Sequence, residues 1–439
     1  MSSAGPRPDD FDKTEITIGL HLEIKQLSKS CERGDAWRGA GICIPRREKW
    51  QRRRMPALAS GSKIDRCDDT MEDGEDFIKG ENDIFHLEDP DTRWSMAAMK
   101  AAISGTEETE QEPQADDSGD RIVDYNKIVK RLASHKQALP SAKETPYFNH
   151  HAFFSNLTHY SSQAQFGKFL CYGEVVTSTS TMLERNPTWL KLLPTGFTFT
   201  ATTQVAGRGR GSNVWVSPSG SLMFSAVIRH PSELNQKAPV TFVQYLAALA
   251  IVEGIKTYSL GYEKVPIKLK WPNDVYALDP QSEPDNPQYV KIGGILVNSI
   301  WASGDYTLVV GIGINVANAV PTTGLNVLAK GKRLEPFQAE RLLAKILASL
   351  ETIYAKFCRE GWSKDLEGIY YKSWLHGDQI VTLEAEGGVK AKIKGITRDF
   401  GMLLAEELGW EDRPTGKMWQ LQSDSNSFDF FKGLLKRKL

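Results

Sequence analysis

A loop in which glycine and arginine alternate is the segment of this sequence best suited to chemistry on phosphate groups. It reads QVAGRGRGSNVW from Gln204 to Trp215 and includes Arg208 and Arg210. Glycine lets backbone N–H groups approach a ligand closely, and the guanidinium group presents fixed donors that match phosphate oxygens. The loop has neither the GK[ST] of a P-loop nor the spacing of a dinucleotide site. It predicts a cationic lid over a phosphate group, with an RNA-contacting segment or an ordinary mobile loop as alternatives.

A second polar cluster, KWPND, begins at Lys270, where a predicted strand ends. Pro272 cannot donate to a strand ladder, so the polar groups around it lie at the mouth of the strand. A lysine that leaves an apolar strand is costly to bury unless its ammonium group meets an anion. The alternatives are an edge lysine that extends to water and a turn formed by Asn273 and Asp274.

Hydroxyl groups and paired glycines mark two further candidate segments. Residues 176–183 read VTSTSTML, whose hydroxyls either bind a neutral, amide-like ligand or cap the N-terminus of a helix. Residues 291–297 read KIGGILV and residues 311–315 read GIGIN. Paired glycines inside strands indicate a bulge or a ligand that lies against the backbone. Asn315 ends an apolar strand and is a candidate polar contact.

The elements that would position these segments mix strands and helices between residues 144 and 366. Apolar runs predict strands at 222–228, 265–270, 292–299 and 306–316, and helical spacing predicts helices at 242–259 and 337–358. The pattern favours an α+β domain with a mixed or largely antiparallel sheet. Shorter strand-like runs at 378–386, 389–396 and 401–407 predict a small, barrel-like β module over residues 367–439.

The first 143 residues differ from the rest in composition. They carry the basic run RREKWQRRR at 46–54 and acidic stretches such as EETEQEPQADDSGD at 107–120, with few long apolar segments. Such a composition buries too little surface to offset chain entropy, so we expect this region to be largely disordered. The basic run is interpreted as a solvated charge cluster, with nuclear localisation or RNA binding as the alternative.

Composition limits the classes of protein to which the chain can belong. The chain has 439 residues and a formal net charge of -1, so nothing in its overall charge attracts nucleic acid or anionic lipid. Five cysteines without a CxxC pair indicate reduced thiols and a cytosolic setting. No apolar run reaches the length of a membrane span, and MSSAGPRPDD does not resemble a secretory signal. We therefore expect a cytoplasmic enzyme that binds neither nucleic acid nor membrane.

Taken together and in this order, the motifs resemble those of the biotin–protein ligase (holocarboxylase synthetase) family, and its eukaryotic, particularly fungal, branch most closely. GRGRGSNVW is similar to the family's biotinyl-adenylate loop, and KWPND, KIGGILV and VGIGINV follow in the family's order over roughly residues 144–420. Ser180 stands where the family commonly has asparagine, and the loop lacks a third arginine. No helix-turn-helix pattern precedes the catalytic region, so the resemblance does not extend to a DNA-repressor role.

The resemblance implies a mixed-sheet catalytic domain of the biotin/lipoate ligase type at 144–366, followed by a small SH3-like β barrel. It implies a ligase that uses ATP and Mg²⁺ to form biotinyl-5′-AMP from biotin. The biotinyl group would then pass to a lysine in the biotin carboxyl carrier domain of an acetyl-CoA carboxylase or pyruvate carboxylase type enzyme. The C-terminal module would help to dock that domain, so deleting residues 370–439 should slow transfer more than adenylate formation.

The resemblance also implies roles for individual residues. The expected catalytic cations are Lys270, Arg208 and Arg210. The expected biotin contacts are Ser178, Thr179, Ser180, Gln204, Gly207, Arg208, Lys270, Gly293 and Gly294. The expected contacts to ATP and the adenylate are Arg208, Gly209, Arg210, Trp215, Asn273 and Asn315. No metal ligand is assigned, and Asp274 is the candidate base for the acceptor lysine.

Three other functions compete with this interpretation. A lipoate–protein ligase shares the fold family. A nucleic-acid-binding module would use the two basic runs, although no aromatic residues are interleaved with them. A catalytically idle relative would bind the adenylate without forming it.

Overall fold

The computed structural model describes strands at 18–23, 77–79, 84–87 and 130–135, and then residues 139–437 apart from 212, 216, 303, 319–322, 424–425 and 430–433. Most of the segment for which disorder is expected, including the basic run at 46–54, lies outside the described residues, so that expectation stays a prediction. The four short strands in this region were not anticipated from the sequence.

One mixed sheet forms the framework of the catalytic region. Its strands are β1 (Ile18–Glu23), β2 (Phe77–Lys79), β3 (Ile84–Leu87), β4 (Lys130–His135), β5 (Phe169–Val176), β6 (Thr198–Gln204), β7 (Ser221–Pro231), β8 (Ile267–Lys270), β9 (Asp274–Leu278), β10 (Tyr289–Ala302) and β11 (Asp305–Asn315). They lie in the order β2-β3-β4-β1-β5-β6-β7-β11-β10-β9-β8. β5 and β6 are parallel. The neighbouring pairs β6–β7, β7–β11, β11–β10, β10–β9 and β9–β8 are all antiparallel. The α+β prediction with a mixed sheet is confirmed.

Helices cover both faces of this sheet. They are α1 (His150–Tyr160), α2 (Thr179–Glu184), α3 (Pro187–Leu192), α4 (Val243–Lys256), α5 (Leu325–Gly331), α6 (Ala339–Glu360) and α7 (Lys364–Ser373). Side chains alternate across a strand, so Phe224 and Ile228 of β7 face the core under α4 and α6. Val227 faces a second core, which α2 and α3 cover.

Helix α6 follows the apolar stripe seen in the sequence. Leu343, Ile346, Leu350 and Phe357 are all fully buried, and they lie on one face of the helix. Gly254 of α4 lets the two helices approach closely, since a Cβ atom there would lie 2.7 Å from Ile346 Cγ1. The packed pair supports the sheet from behind the candidate site.

A β-bulge lies where β10 pairs with β9. Lys291 is opposite Tyr276, whereas Gly293 is opposite the adjacent residue Val275, so the register shifts by one residue. A bulge of this kind redirects the side chains beside it. It brings Lys291 to the same side as Asp274, which starts β9.

The C-terminal module forms a second, smaller sheet. Its strands are β12 (Ile380–Leu383), β13 (Val389–Ile396), β14 (Leu403–Leu408), β15 (Pro414–Leu421), β16 (Asn426–Asp429) and β17 (Leu434–Arg437), in the order β15-β14-β13-β12-β17-β16. The sheet is mostly antiparallel and consistent with the expected SH3-like barrel. One continuous hydrophobic core contains Tyr245 and Trp271 of the catalytic region together with Ile393 and Leu403 of the module. The boundary placed at 366/367 stays a prediction.

The connection into the module runs along the edge of the large sheet. Trp374 forms a parallel bridge with Leu269 of β8, and the Leu375 N–H donates to the Leu269 carbonyl at 2.8 Å. The segment after α7 therefore covers the β8 edge beside KWPND.

Two further properties of the described residues concern their helices and their cysteines. None of the helices in this part of the chain is long and apolar enough to cross a membrane. Cys171 and Cys358 are free thiols.

Candidate active site

The predicted motif segments converge on one cavity of about 560 Å³, at the edge of which the module's Ser423 also lies. This volume is within the range of small-molecule binding sites. The cavity is lined by twelve of the residues that the sequence assigned to the site: Ser178, Thr179, Ser180, Gln204, Arg208, Gly209, Arg210, Trp215, Lys270, Asn273, Gly294 and Asn315. Arg208 and Lys270 thus share a cavity, as a common role on one ligand requires.

Buried hydroxyl groups form the polar end of the cavity. Ser178 caps α2, because its Oγ accepts from the Thr181 N–H at 3.4 Å. The N–H and hydroxyl of Thr179 donate to Gln204 Oε1 at 2.8 and 3.1 Å. The Thr179 and Ser225 hydroxyls lie 2.8 Å apart. Ser178 therefore both caps α2 and lines the cavity. Ser225 also lines the cavity, although the sequence did not single it out.

The glycine–arginine loop folds as a hairpin, residues 207–215, which we call the arginine hairpin. Arg208 and Val214 form an antiparallel bridge, and the Gly209 N–H donates to the Asn213 carbonyl at 2.8 Å. Gly211 turns the chain with a φ of +63°, a conformation that favours glycine. The hairpin has internal hydrogen bonds of its own, and it places both arginines at the cavity.

Arg208 is paired with a carboxylate just outside the cavity lining. Its guanidinium group donates to Glu184, the last residue of α2. Glu184 also accepts from Asn298 Nδ2 at 2.5 Å, so it links α2, β10 and the arginine hairpin. No local sequence pattern marks this carboxylate, because its partners are 24 and 114 residues away.

Arg210 links the KWPND turn to the C-terminal module. Its guanidinium group donates to Ser423 Oγ at 2.8 Å and lies 3.4 Å from Asn273 Oδ1. Asn273 is itself fixed to β10, since its Nδ2 donates to the Ile295 carbonyl at 2.7 Å. The hairpin, the KWPND turn and the C-terminal module therefore meet at Arg210.

Two lysines face the cavity. The Lys270 ammonium lies 5.5 Å from the centre of the Tyr276 ring. The Lys291 ammonium lies 2.7 Å from Asp274 Oδ1 and 5.6 Å from the centre of the Trp215 ring. Lys291 was not among the residues predicted from the sequence, although a lysine in an apolar strand carries the same signal that singled out Lys270.

The Trp215 ring packs against Gly313 of β11. A Cβ atom on Gly313 would lie 2.6 Å from Trp215 Nε1, so only glycine leaves room for this ring. Nε1 is buried and has no hydrogen-bond partner among the described residues. A buried indole N–H usually finds a partner, so this donor is available to a bound ligand.

Two of the assigned glycines do not line the cavity. A Cβ atom on Gly207 would lie 2.5 Å from the Trp215 carbonyl oxygen, and one on Gly293 would lie 2.9 Å from the Gly313 carbonyl oxygen. Both positions allow two backbone segments to approach each other, and their contact with biotin stays a prediction.

Among the described residues, no group of three or more histidine, cysteine, aspartate or glutamate side chains could hold a metal ion. Asp274 is the only carboxylate among the lining residues.

Comparison with known proteins places the chain in a family. Residues 172–315 match the model of the biotin/lipoate A/B protein ligase family. Biotin–protein ligase 1, chloroplastic, from Arabidopsis thaliana is 36% identical over 284 residues, which are 63% of this chain and 71% of that protein. Biotin–protein ligase 2 from the same plant is 34% identical and is matched over 80% of its length. The chain belongs to the biotin–protein ligase family.

Other biotin–protein ligases also match more than half of this chain. The biotin–protein ligase of Schizosaccharomyces pombe is 44% identical over 62% of this chain, but the match spans only 44% of that relative. Among solved structures, the biotin protein ligase from Aquifex aeolicus in complex with biotin and ATP has a TM-score of 0.45 and 24% identity. It covers 62% of this chain and all of its own.

Proposed function

We propose that this member of the biotin–protein ligase family joins biotin to ATP as biotinyl-5′-AMP and then transfers the biotinyl group to a lysine of a carrier domain. The observation that carries the proposal is that the motif segments, up to 137 residues apart in sequence from Ser178 to Asn315, line one cavity. Its chemistry divides into a hydroxyl-lined end and a cationic end, as a neutral ureido ring joined to a phosphate requires.

The first step brings two anions together. A carboxylate oxygen of biotin attacks the α-phosphorus of ATP, the bond from that phosphorus to the bridging oxygen breaks, and pyrophosphate leaves. Four cations line the cavity to stabilise the charge: Arg208, Arg210, Lys270 and Lys291. A preorganised group of this kind contributes about 3 kcal/mol of transition-state stabilisation.

Mg²⁺ belongs to this proposal as the partner of the ATP phosphates. Magnesium is commonly held by one or two carboxylates together with substrate phosphates, so a single lining carboxylate suffices. Asp274 would hold the ion, which would neutralise charge on the pyrophosphate. The pairing of Asp274 with Lys291 keeps this carboxylate at the cationic end of the cavity.

The opposite end suits biotin. The hydroxyls of Ser178 and Ser180, which lie 3.2 Å apart, supply donors and acceptors for a neutral ureido group. Trp215 and Gly294 lie beside Lys291, because the Trp215 ring centre is 5.6 Å from the Lys291 ammonium and a Cβ atom on Gly294 would lie 3.7 Å from it. Trp215, with one available N–H, would therefore cover the nucleotide, and Gly294 would leave room where the tail of biotin meets the phosphate. The arginine hairpin would then exclude water from the reactive mixed anhydride.

The second step needs a neutral amine. The acceptor lysine attacks the acyl carbon, the bond from that carbon to the phosphate oxygen breaks, and AMP leaves. An ordinary lysine amine has a pKa near 10.4, so its proton must pass to a base or be lost on desolvation. Asp274 is the carboxylate within the cavity that could accept it.

The proposed acceptors are carrier domains of acetyl-CoA carboxylase and pyruvate carboxylase type enzymes, docked against the C-terminal module. A cytoplasmic setting is part of the same proposal and rests on the cysteine pattern.

Mass spectrometry of a carrier fragment tests the function directly. The full chain is incubated with ATP, Mg²⁺ and either biotin or lipoate, and with a carrier whose acceptor lysine is intact or replaced by arginine. We expect one biotinyl group on the intact carrier alone. Lipoylation without biotinylation would assign the chain to the lipoate class. Failure of biotin to release pyrophosphate from ATP would identify an idle relative.

A further inference from the structure

The KWPND turn is anchored from both sides. On one side the Ile295 N–H donates to the Asn273 carbonyl at 2.9 Å, which fixes the turn to β10. On the other side the Trp271 backbone N–H donates to Nε2 of His376 at 2.9 Å. Both Trp271 and His376 are buried. Lys270 and Asn273, which reach the cavity, flank this anchored tryptophan.

His376 lies at the start of the C-terminal module, 105 residues after Trp271 in the sequence. It belongs to the segment that covers the edge of β8. The Trp271 indole N–H is likewise held from outside the motif, by Tyr245 Oη at 3.0 Å and the Gly401 carbonyl at 3.1 Å. Both N–H groups of Trp271 therefore depend on other parts of the chain.

The hydrogen bond from Trp271 fixes the state of the imidazole ring. A nitrogen that accepts a hydrogen bond carries no proton, so the ring is neutral with its hydrogen on Nδ1, 3.4 Å from Gln379 Oε1. Burial lowers the pKa of His376 to about 3, and the positive charge of Lys270 acts in the same direction. The acceptor is thus present at every pH at which such an enzyme works.

We propose, on the basis of the ligase function above, that His376 is a positioning residue for adenylate formation. Its Nε2 fixes the Trp271 amide, and through that peptide it aims the Lys270 ammonium and the Asn273 amide at the α-phosphate. His376 does not line the cavity, so it acts only through the turn. A misplacement of about 1 Å at a reacting group can cost a hundredfold in rate.

The other interpretation is that His376 is simply a core histidine with satisfied hydrogen bonds. The two differ in what a substitution does to a folded protein. A core residue affects stability, whereas a positioning residue affects the turnover of adenylate formation at equal folding. They also differ in whether an acceptor atom at the place of Nε2 restores activity.

Four variants of the full chain separate these roles. His376→Leu removes the acceptor, and His376→Gln can return an acceptor oxygen to the position of Nε2. His376→Asn is polar but reaches only the position of Nδ1. His230→Leu is the matched control. His230 is also a fully buried histidine with a hydrogen bond, between its Nδ1 and the Tyr354 hydroxyl at 2.9 Å, but it is not among the cavity-lining residues. Biotin-dependent exchange of pyrophosphate into ATP gives kcat and KM, and thermal unfolding gives stability.

We expect His376→Leu to lower kcat for exchange by about tenfold to a hundredfold, with a smaller change in the KM for biotin. His376→Gln should remain within about threefold of wild type, and His376→Asn should resemble the leucine variant. His230→Leu should lose stability but keep its turnover. If the leucine variant does not fold, the glutamine and asparagine variants still decide the matter, because equal activities in those two overturn the proposal.

The outcomes distinguish this inference from the function on which it rests. A wild-type chain without biotin-dependent exchange contradicts the ligase function itself. A wild-type chain with exchange, accompanied by a folded His376→Leu variant of unchanged kcat, overturns only the role of His376.

Discussion

At the scale of single residues, the cavity concentrates positive charge. Of the described residues that line it, four are cationic and one is acidic, although the whole chain is close to neutral. Because neighbouring cations repel one another, such a cluster is stable only where carboxylates or a bound anion compensate it. Asp274 and Glu184 provide part of that compensation, and a ligand with several phosphate charges would provide the rest.

Two lysines on the same strand allow a matched test of this charge. Lys270 lines the cavity, whereas Lys268, two residues earlier in β8, does not and instead lies 3.5 Å from the Lys372 carbonyl. We expect Lys270→Ala to slow adenylate formation at least a hundredfold, equivalent to about 3 kcal/mol. Lys268→Ala should leave the rate unchanged. Equal rates for the two variants in an exchange assay would contradict the assignment.

The same reasoning applies to the arginine that Glu184 holds. Arg208→Ala should reduce adenylate formation by about a hundredfold, because a preorganised donor to the phosphate is lost. Circular dichroism should show an unchanged fold, since the arginine side chain is partly exposed. A folded variant with wild-type transfer would refute the role of Arg208.

His376 also predicts how stability depends on pH. Its pKa is about 3 in the folded chain and near 6.5 in the unfolded chain, so the unfolded state binds the extra proton as the pH falls below 6.5. Between pH 7 and pH 5 this residue should lower the free energy of unfolding by about 2 kcal/mol. Urea unfolding of His376→Gln should show a correspondingly weaker loss. Parallel curves for the two proteins would exclude a buried neutral histidine.

At this scale the sequence identified residues that belong to recognisable motifs and missed those that act through distant contacts. Lys270, Arg208 and Arg210 stood out because glycines, proline or an abrupt change of polarity surround them. Glu184 and His376 did not, because their partners come from other elements, 24 and 105 residues away. Such pairings follow from the tertiary fold and leave no local pattern.

At the scale of elements, two glycines of β11 have different tasks. On Gly313 a Cβ atom would lie 2.6 Å from Trp215 Nε1, closer than real contacts allow. On Gly311 the nearest atoms are 3.4 to 3.6 Å away, which is ordinary contact. The first glycine therefore leaves room for the tryptophan of the arginine hairpin, whereas a methyl group on the second would lie beside the cavity-lining residues Ser180 and Ser225.

The close fit at Gly313 predicts the behaviour of an alanine variant. Gly313→Ala should displace Trp215 and weaken ligand binding and adenylate formation by about tenfold, since the hairpin can no longer close in the same place. Gly368→Ala in α7 is the control, because a Cβ atom there would meet nothing within 4 Å and the residue does not line the cavity, so both quantities should change by less than about twofold. Titration calorimetry with biotin, with and without an ATP analogue, measures the effect. Equal effects of the two variants would show that the hairpin adopts another position when ligand binds.

Periodicity predicted those elements whose burial is simple. Strands β7, β10 and β11 and helices α4 and α6 lie where apolar patterns placed them, because each buries a regular face. Strand β6 reads TFTATTQ, and its threonines obscure the pattern. The bulge beside Lys291 could not be predicted either, since register depends on which strand lies alongside.

At the scale of the whole molecule, the catalytic region and the C-terminal module share one core. From the sequence, deletion of residues 370–439 was expected to affect transfer more than adenylate formation. The structure predicts otherwise, because the deletion also removes His376, Gly401 and Ser423, which hold Trp271 and Arg210. We expect the truncated chain to lose both half-reactions and to bind a hydrophobic dye. Normal pyrophosphate exchange by the truncated chain would restore the earlier expectation.

The cover over β8 also limits how other polypeptides can approach. An outer strand normally offers unused amide and carbonyl groups to any extended segment nearby, which invites aggregation. Here the carbonyl of Leu269 is already occupied by the chain's own Leu375. Strand addition at Leu269 is therefore blocked. A partner protein that approaches the cavity from this side must be recognised through its side chains and shape.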